Sequence, residues 1–253
     1  MVWTVTRVKQ VNAKDVICVE GLPGIGNVGK IAVDIIIDEL KPVKVASFFS
    51  NSLPNSVFVN ERGLVDLPAI EMYHKRIAKK DFFFLSGDVQ PVDEEASYEL
   101  TDALLDFLVS YSCREIVTLG GIGLSEVPSD PKVFCTGNNL GLVRSFREHG
   151  ARTNVYGVVG PIIGLSGLLL GLGKRRRIPA AGLLCETYGH PLYIGLSGAH
   201  RLLQILNSKY GFRVPLADLE TEMAQMLELD QKSGGTSKIS KKLLKYKDIN
   251  YIG

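Results

Sequence analysis

The chain has 253 residues, 45% of them hydrophobic and 22% charged, with a formal net charge of +2. That length accommodates one large α/β domain, or one domain with an appendage. The near-neutral balance excludes the strong overall field that recruits nucleic acid or an anionic membrane surface. Met1 to Val8 alternates like a strand and lacks the apolar core of a secretory leader. The longest apolar stretch, residues 155–172, is interrupted by glycines and Pro161 and is too short for a transmembrane helix. Cys18, Cys113, Cys135 and Cys185 are far apart and show no metal spacing. They read as reduced, buried thiols of a cytoplasmic protein with no metal and no cofactor.

Strand and helix signals alternate along most of the chain. Residues 15–20 predict a strand. Residues 27–40 predict a helix with Val28, Ile31, Ile35 and Ile36 on one face, closed by Lys41-Pro42. Residues 43–49 predict a second strand. Residues 56–60, 63–66 and 69–76 predict short strands of a meander, with a hairpin turn at 61–63. A strand at 81–86, a helix at 93–112 and a strand at 115–119 follow. Then come a strand at 132–136, a helix at 140–149, a strand at 154–159, a helix at 164–172, a strand at 180–186 and a helix at 198–210. Residues 216–229 predict a last, charged helix. Strands separated by helices predict an α/β fold with a mainly parallel central sheet flanked by helices. Composition shifts after Gln231, where Lys-Ser-Gly-Gly-Thr-Ser opens a lysine-rich segment. The expected division is therefore an α/β domain over 1–231 and a flexible basic tail over 232–253.

Residues 15–30 run from an apolar strand through Gly21-Leu22-Pro23-Gly24-Ile25-Gly26-Asn27-Val28-Gly29-Lys30 into a helix. Gly24, Gly26 and Gly29 match the spacing of a dinucleotide fingerprint. Its second half is missing, because no Asp or Glu lies between Glu39 and Glu61 to hold a ribose. Gly24 to Lys30 also matches a phosphate loop, but Ile31 stands where Ser or Thr must reach magnesium. The simpler reading is a structural loop in which Gly21, Gly24, Gly26 and Gly29 permit a tight turn and close helix–sheet packing.

Catalytic candidates are sparse. His74 lies in a strand pattern, His149 ends a helix, His190 precedes Pro191 and His200 lies inside a helix. Each has a structural reading. Glu186 ends a strand, where a carboxylate reaches the crevice beyond a parallel sheet, and Glu126 offers a partner for it. Lys174 to Arg177 forms a basic run without interleaved aromatics, so it reads as a solvated helix end and not a nucleic-acid site.

Four segments together carry a resemblance. They are residues 22–32; Thr118-Leu119-Gly120-Gly121-Ile122-Gly123; the run from Gly157 to Leu170; and Ala181-Gly182-Leu183-Leu184-Cys185-Glu186-Thr187. Across residues 15–229 the chain resembles the PAC2 family, the proteasome assembly chaperone 2 proteins and their archaeal homologues. The resemblance implies a sandwich similar to that of nucleoside phosphorylases. It also implies a non-enzymatic, homo-oligomeric chaperone that binds proteasome α subunits or the α-ring of the 20S particle. Family members often dock through a C-terminal hydrophobic–tyrosine–any-residue tail, so Ile249, Tyr251, Ile252 and Gly253 become the expected partner-binding residues. Here Tyr251 is third from the end and Asn250 precedes it, which displaces the terminal carboxylate by about 3.5 Å in an extended chain. Two alternatives stand beside this reading. One is a nucleotide- or nucleoside-binding enzyme using the Gly24–Gly29 loop and Glu186. The other is an oligomeric scaffold for a small adaptor protein.

Overall fold

The computed structural model describes residues 3–60 and 62–217, together with 219 and 221. In chain order the elements are β1 (Thr4–Arg7), β2 (Ile17–Gly21), a 3-10 turn (Ile25–Asn27), α1 (Val28–Leu40), β3 (Val43–Phe49), β4 (Phe58–Val59), β5 (Val65–Asp66), β6 (Ile70–Ile77) and β7 (Lys80–Gly87). There follow α2 (Glu94–Val109), β8 (Glu115–Leu124), β9 (Val133–Gly137), α3 (Leu140–Arg147), α4 (Leu165–Arg175), β10 (Ala180–Tyr188) and α5 (Leu196–Tyr210).

Eight strands form one sheet in the order β1-β3-β6-β7-β2-β8-β10-β9. Its centre, β7-β2-β8-β10, is parallel. The flanks are antiparallel: β6, β3 and β1 on one side, β9 on the other. The central strands read as unbroken apolar runs because helices cover both faces. Ile17, Val19, Phe82 and Phe84 pack in one core with α1 and α5. Val16, Cys18, Phe83 and Leu85, one residue out of phase, pack in the other with α2 and α4. The fold is thus a three-layer α/β structure.

Local signals explain the helix ends. Asp93 caps α2 by accepting from the Ala96 amide at 2.7 Å, with Glu94 and Glu95 in the positive first turn. Asn139 caps α3 through the Leu142 amide at 2.9 Å. Lys41 leaves α1 in a left-handed conformation, and Pro42 prevents any continuation.

Several expectations change. Residues 154–159 form a turn and not a strand. The position beside β9 is taken by Arg152, whose carbonyl accepts from the Cys135 amide at 2.7 Å. The chain then folds back, with the Val155 carbonyl accepting from the amides of Val158 and Val159. Tyr156 projects fully into solvent there, so its apolar neighbours do not signal burial. The segments at 56–60 and 63–66 shrink to β4 and β5, which pair only with each other and stand apart from the main sheet. Helix α5 starts two residues earlier than expected, at Leu196. The expected helix at 216–229 and the tail at 232–253 lie almost wholly outside the described residues.

Candidate functional site

Parallel strands deliver their carboxyl ends to one edge of a sheet, and crevices form there where neighbouring connections part to opposite faces. Here β2 leads into α1 on one face, while α4 lies on the other. Between them opens a cleft of about 430 Å³. The glycine loop (Pro23, Gly24, Ile25), the end of β8 (Gly120 to Gly123), the turn before α4 (Val159 to Ile163) and Ser166 line it.

The glycine loop owes its shape to close contact. A side chain on Gly29 would put its Cβ 2.3 Å from the Leu119 carbonyl oxygen, and one on Gly21 would stand 2.2 Å from the Gly29 oxygen. The first turn of α1 therefore rests directly on β2 and β8. Gly26 has φ +62°, and its carbonyl accepts from the Gly195 amide at 2.8 Å, which ties α1 to the start of α5. Gly24 differs. It is extended, and a Cβ there meets nothing within 4 Å.

Behind the cleft wall lies Glu20, the penultimate residue of β2. It is fully buried. Its Oε1 accepts from the Leu22 amide at 3.0 Å, and its Oε2 accepts from Ser166 Oγ at 2.9 Å. Burial pushes its carboxyl up from 4.5 to about 7, while the bonds from Ser166 and Leu22 pull it part of the way back. Thr118, opposite Glu20 in the β2–β8 register, is also buried, and its Oγ1 has no hydrogen-bond partner. Gln90 braces the cleft wall: its Nε2 donates to the Pro23 carbonyl at 2.5 Å, and its Oε1 accepts from the Leu165 amide at 3.1 Å.

The structure places the sequence-derived candidates as follows. Gly21 ends β2, Gly24 and Gly26 lie in the connection and Gly29 stands in the first turn of α1; Gly24 and Gly29 line the cleft. Glu186 does not line it; its Oε2 accepts from the Lys132 amide at 2.9 Å and fixes the start of β9. Glu126 is exposed in the β8–β9 connection. His74 pairs with Asp81 at 2.9 Å, and His149 Nδ1 bonds Ser208 Oγ at 2.8 Å. Arg176, from the basic run, pairs with Asp102 and Asp106 of α2. Ile249, Tyr251, Ile252 and Gly253 lie outside the described residues. Sequence reasoning passed over Glu20, Gln90 and Ser166. The signal for Glu20 was a carboxylate ending an otherwise apolar strand immediately before a glycine turn.

Among the described residues no cluster of three His, Cys, Asp or Glu side chains is arranged to hold a metal ion. No helix among them is long and apolar enough to cross a membrane.

Comparison with known proteins then decides the family. The PAC2 family matches residues 18–232. The chain belongs to the PAC2 family. Its structure resembles that of Pyrococcus furiosus PbaB, an archaeal proteasome activator, with 28% identity and a TM-score of 0.84, covering 91% of this chain and 98% of that one. It also resembles P. furiosus PbaA, an archaeal homolog of proteasome-assembly chaperone, with a TM-score of 0.76 over 90% of each chain. At 22% identity that second likeness speaks to the fold alone. An uncharacterised protein of Methanocaldococcus jannaschii is 27% identical over 250 residues, spanning 98% of this chain and 91% of its own length. The glycine loop, the Gly120–Gly123 segment and the turn before α4, which surround the cleft of this PAC2 chain, all fall within the matched region.

Proposed function

We propose that this protein is a proteasome assembly chaperone that binds proteasome α subunits or the α-ring of the 20S particle, acting as a homo-oligomer and catalysing no reaction. The observation that carries this reading is PAC2 membership over residues 18–232, joined to a likeness over nearly the whole chain to PbaB, a proteasome activator. The site chemistry supports binding over catalysis: Glu186 and the Asp81-bonded His74 are engaged in holding the fold. The protein works in the cytoplasm, where its partner resides.

Self-association is supported by the β4–β5 hairpin. Val57, Val59, Leu64, Val65 and Leu67 are each more than half exposed along it. A lone two-stranded hairpin is marginally stable in water, and a contiguous apolar strip on a soluble surface marks an interface. The tail residues Ile249, Tyr251, Ile252 and Gly253 are the proposed contact with the α-ring. A Tyr ring fits an apolar pocket, and tethered tails on several subunits add avidity.

Size-exclusion chromatography of the protein with its cognate 20S particle, and separately with free α subunits, tests this reading. Co-elution with either supports it and names the partner. Co-elution with neither contradicts it and favours the adaptor-scaffold alternative.

A further inference from the structure

The cleft at the carboxyl ends of β2 and β8 has the character of a small-molecule site. Its volume, about 430 Å³, falls within the range such sites occupy. Its walls are chiefly apolar, and Ile25 and Ile163 at its rim are 50% and 87% exposed. An occupant would remove that surface from water.

The polar groups in the cleft narrow the class of ligand. Among the described residues no Lys, Arg, His, Asp or Glu side chain lines it. A charged ligand would lose hydration there and gain no side chain of opposite charge. Glu20, bonded to Ser166 from behind, adds negative charge once ionised and disfavours an anion further. A nucleotide phosphate would meet no cationic side chain among the described lining residues. Two neutral polar side chains do face the cleft. Gln90 has one N–H and one carbonyl lone pair left after its bonds to Pro23 and Leu165. Ser166 gives its O–H to Glu20 and keeps its lone pairs. Together they offer a donor and acceptors on one wall of an otherwise apolar space.

We propose that this cleft binds a small, uncharged molecule bearing an amide-type donor–acceptor edge, held by Gln90 and Ser166 with its apolar part among Ile25, Ile122 and Ile162. The proposal goes beyond the chaperone reading, and its test involves no proteasome component, so either can fail alone.

Benzamide and benzoate share shape and size and differ in the edge and its charge. Saturation-transfer NMR on the full chain at pH 8 would titrate each. The site predicts saturable binding of benzamide, with benzoate at least about tenfold weaker. Gly24→Phe would fill the mouth from a position where added atoms meet open space and the backbone is extended. It should abolish benzamide binding while leaving the melting temperature within a few degrees. Ser166→Ala should weaken benzamide binding several-fold, with Gly24→Phe carrying the test should that variant lose stability. No saturable benzamide binding, equal binding of benzoate, or binding that survives in folded Gly24→Phe would each overturn the proposal.

Discussion

Glu20 is the buried group whose shifted titration falls near neutral pH. A buried carboxyl whose folded value, about 7, lies above its ordinary 4.5 keeps a proton that the unfolded chain releases. The sign follows. Below about pH 4.5 Glu20 costs nothing. The folded state loses stability as pH rises from about 4.5 to 7, and the loss is constant above that, at roughly 3 kcal/mol. Glu20→Gln can still accept from the Leu22 amide and donate to Ser166 Oγ. Urea denaturation should find this variant more stable than the parent at pH 8 and no more stable at pH 4. An identical pH profile for both would show that Glu20 is not the group responsible. A second residue-scale expectation concerns the glycine loop. Gly29→Val would drive atoms into the Leu119 carbonyl and should cost more than about 2 kcal/mol, whereas Gly24→Ala should change stability by less than about 0.5 kcal/mol. Equal effects at the two positions would refute the close-packing account. The glycine spacing was legible from sequence, and so was the failure of both phosphate fingerprints. Glu20 was not, because its partners Leu22 and Ser166 lie 2 and 146 residues away. Only the first of those is visible in a local window.

Among the elements, the parallel centre was the most readable part. Strands buried on both faces become apolar runs between helix caps, and Phe82-Phe83-Phe84-Leu85 divides between two cores with no loss of hydrophobic signal. Apolar content misled where it served a surface. Residues 154–159 carry three aliphatic residues and a tyrosine, yet form an exposed turn. Residues 56–67 likewise read as sheet but form a separate hairpin whose valines face water. Val59 and Val65 pair across that hairpin and are 71% and 62% exposed. If the proposed homo-oligomer forms through this hairpin, replacing them together, Val59→Lys and Val65→Glu, should reduce it to protomers by sedimentation velocity. The protomer should keep its fold, because neither side chain belongs to a core cluster. An oligomer of unchanged mass would move the interface elsewhere.

For the whole molecule, the layered fold followed from the alternation of strand and helix signals, and the family from four short segments, which build the edge where β2, β8 and β10 meet α1 and α4. Which surface would meet the proposed proteasome partner is a separate matter, since neither periodicity nor composition encodes a partner. Two regions compete: the globular body with its apolar hairpin, and the tail with Tyr251 shifted one place from the family pattern. Native mass spectrometry of the protein with its cognate proteasome α subunits, using the full chain and a version ending at Gln231, separates them most directly. A tail-docking chaperone should form a complex with the full chain that is lost or strongly weakened on truncation. Equal complexes from both would move the contact to the body. No complex from either would contradict the chaperone assignment itself.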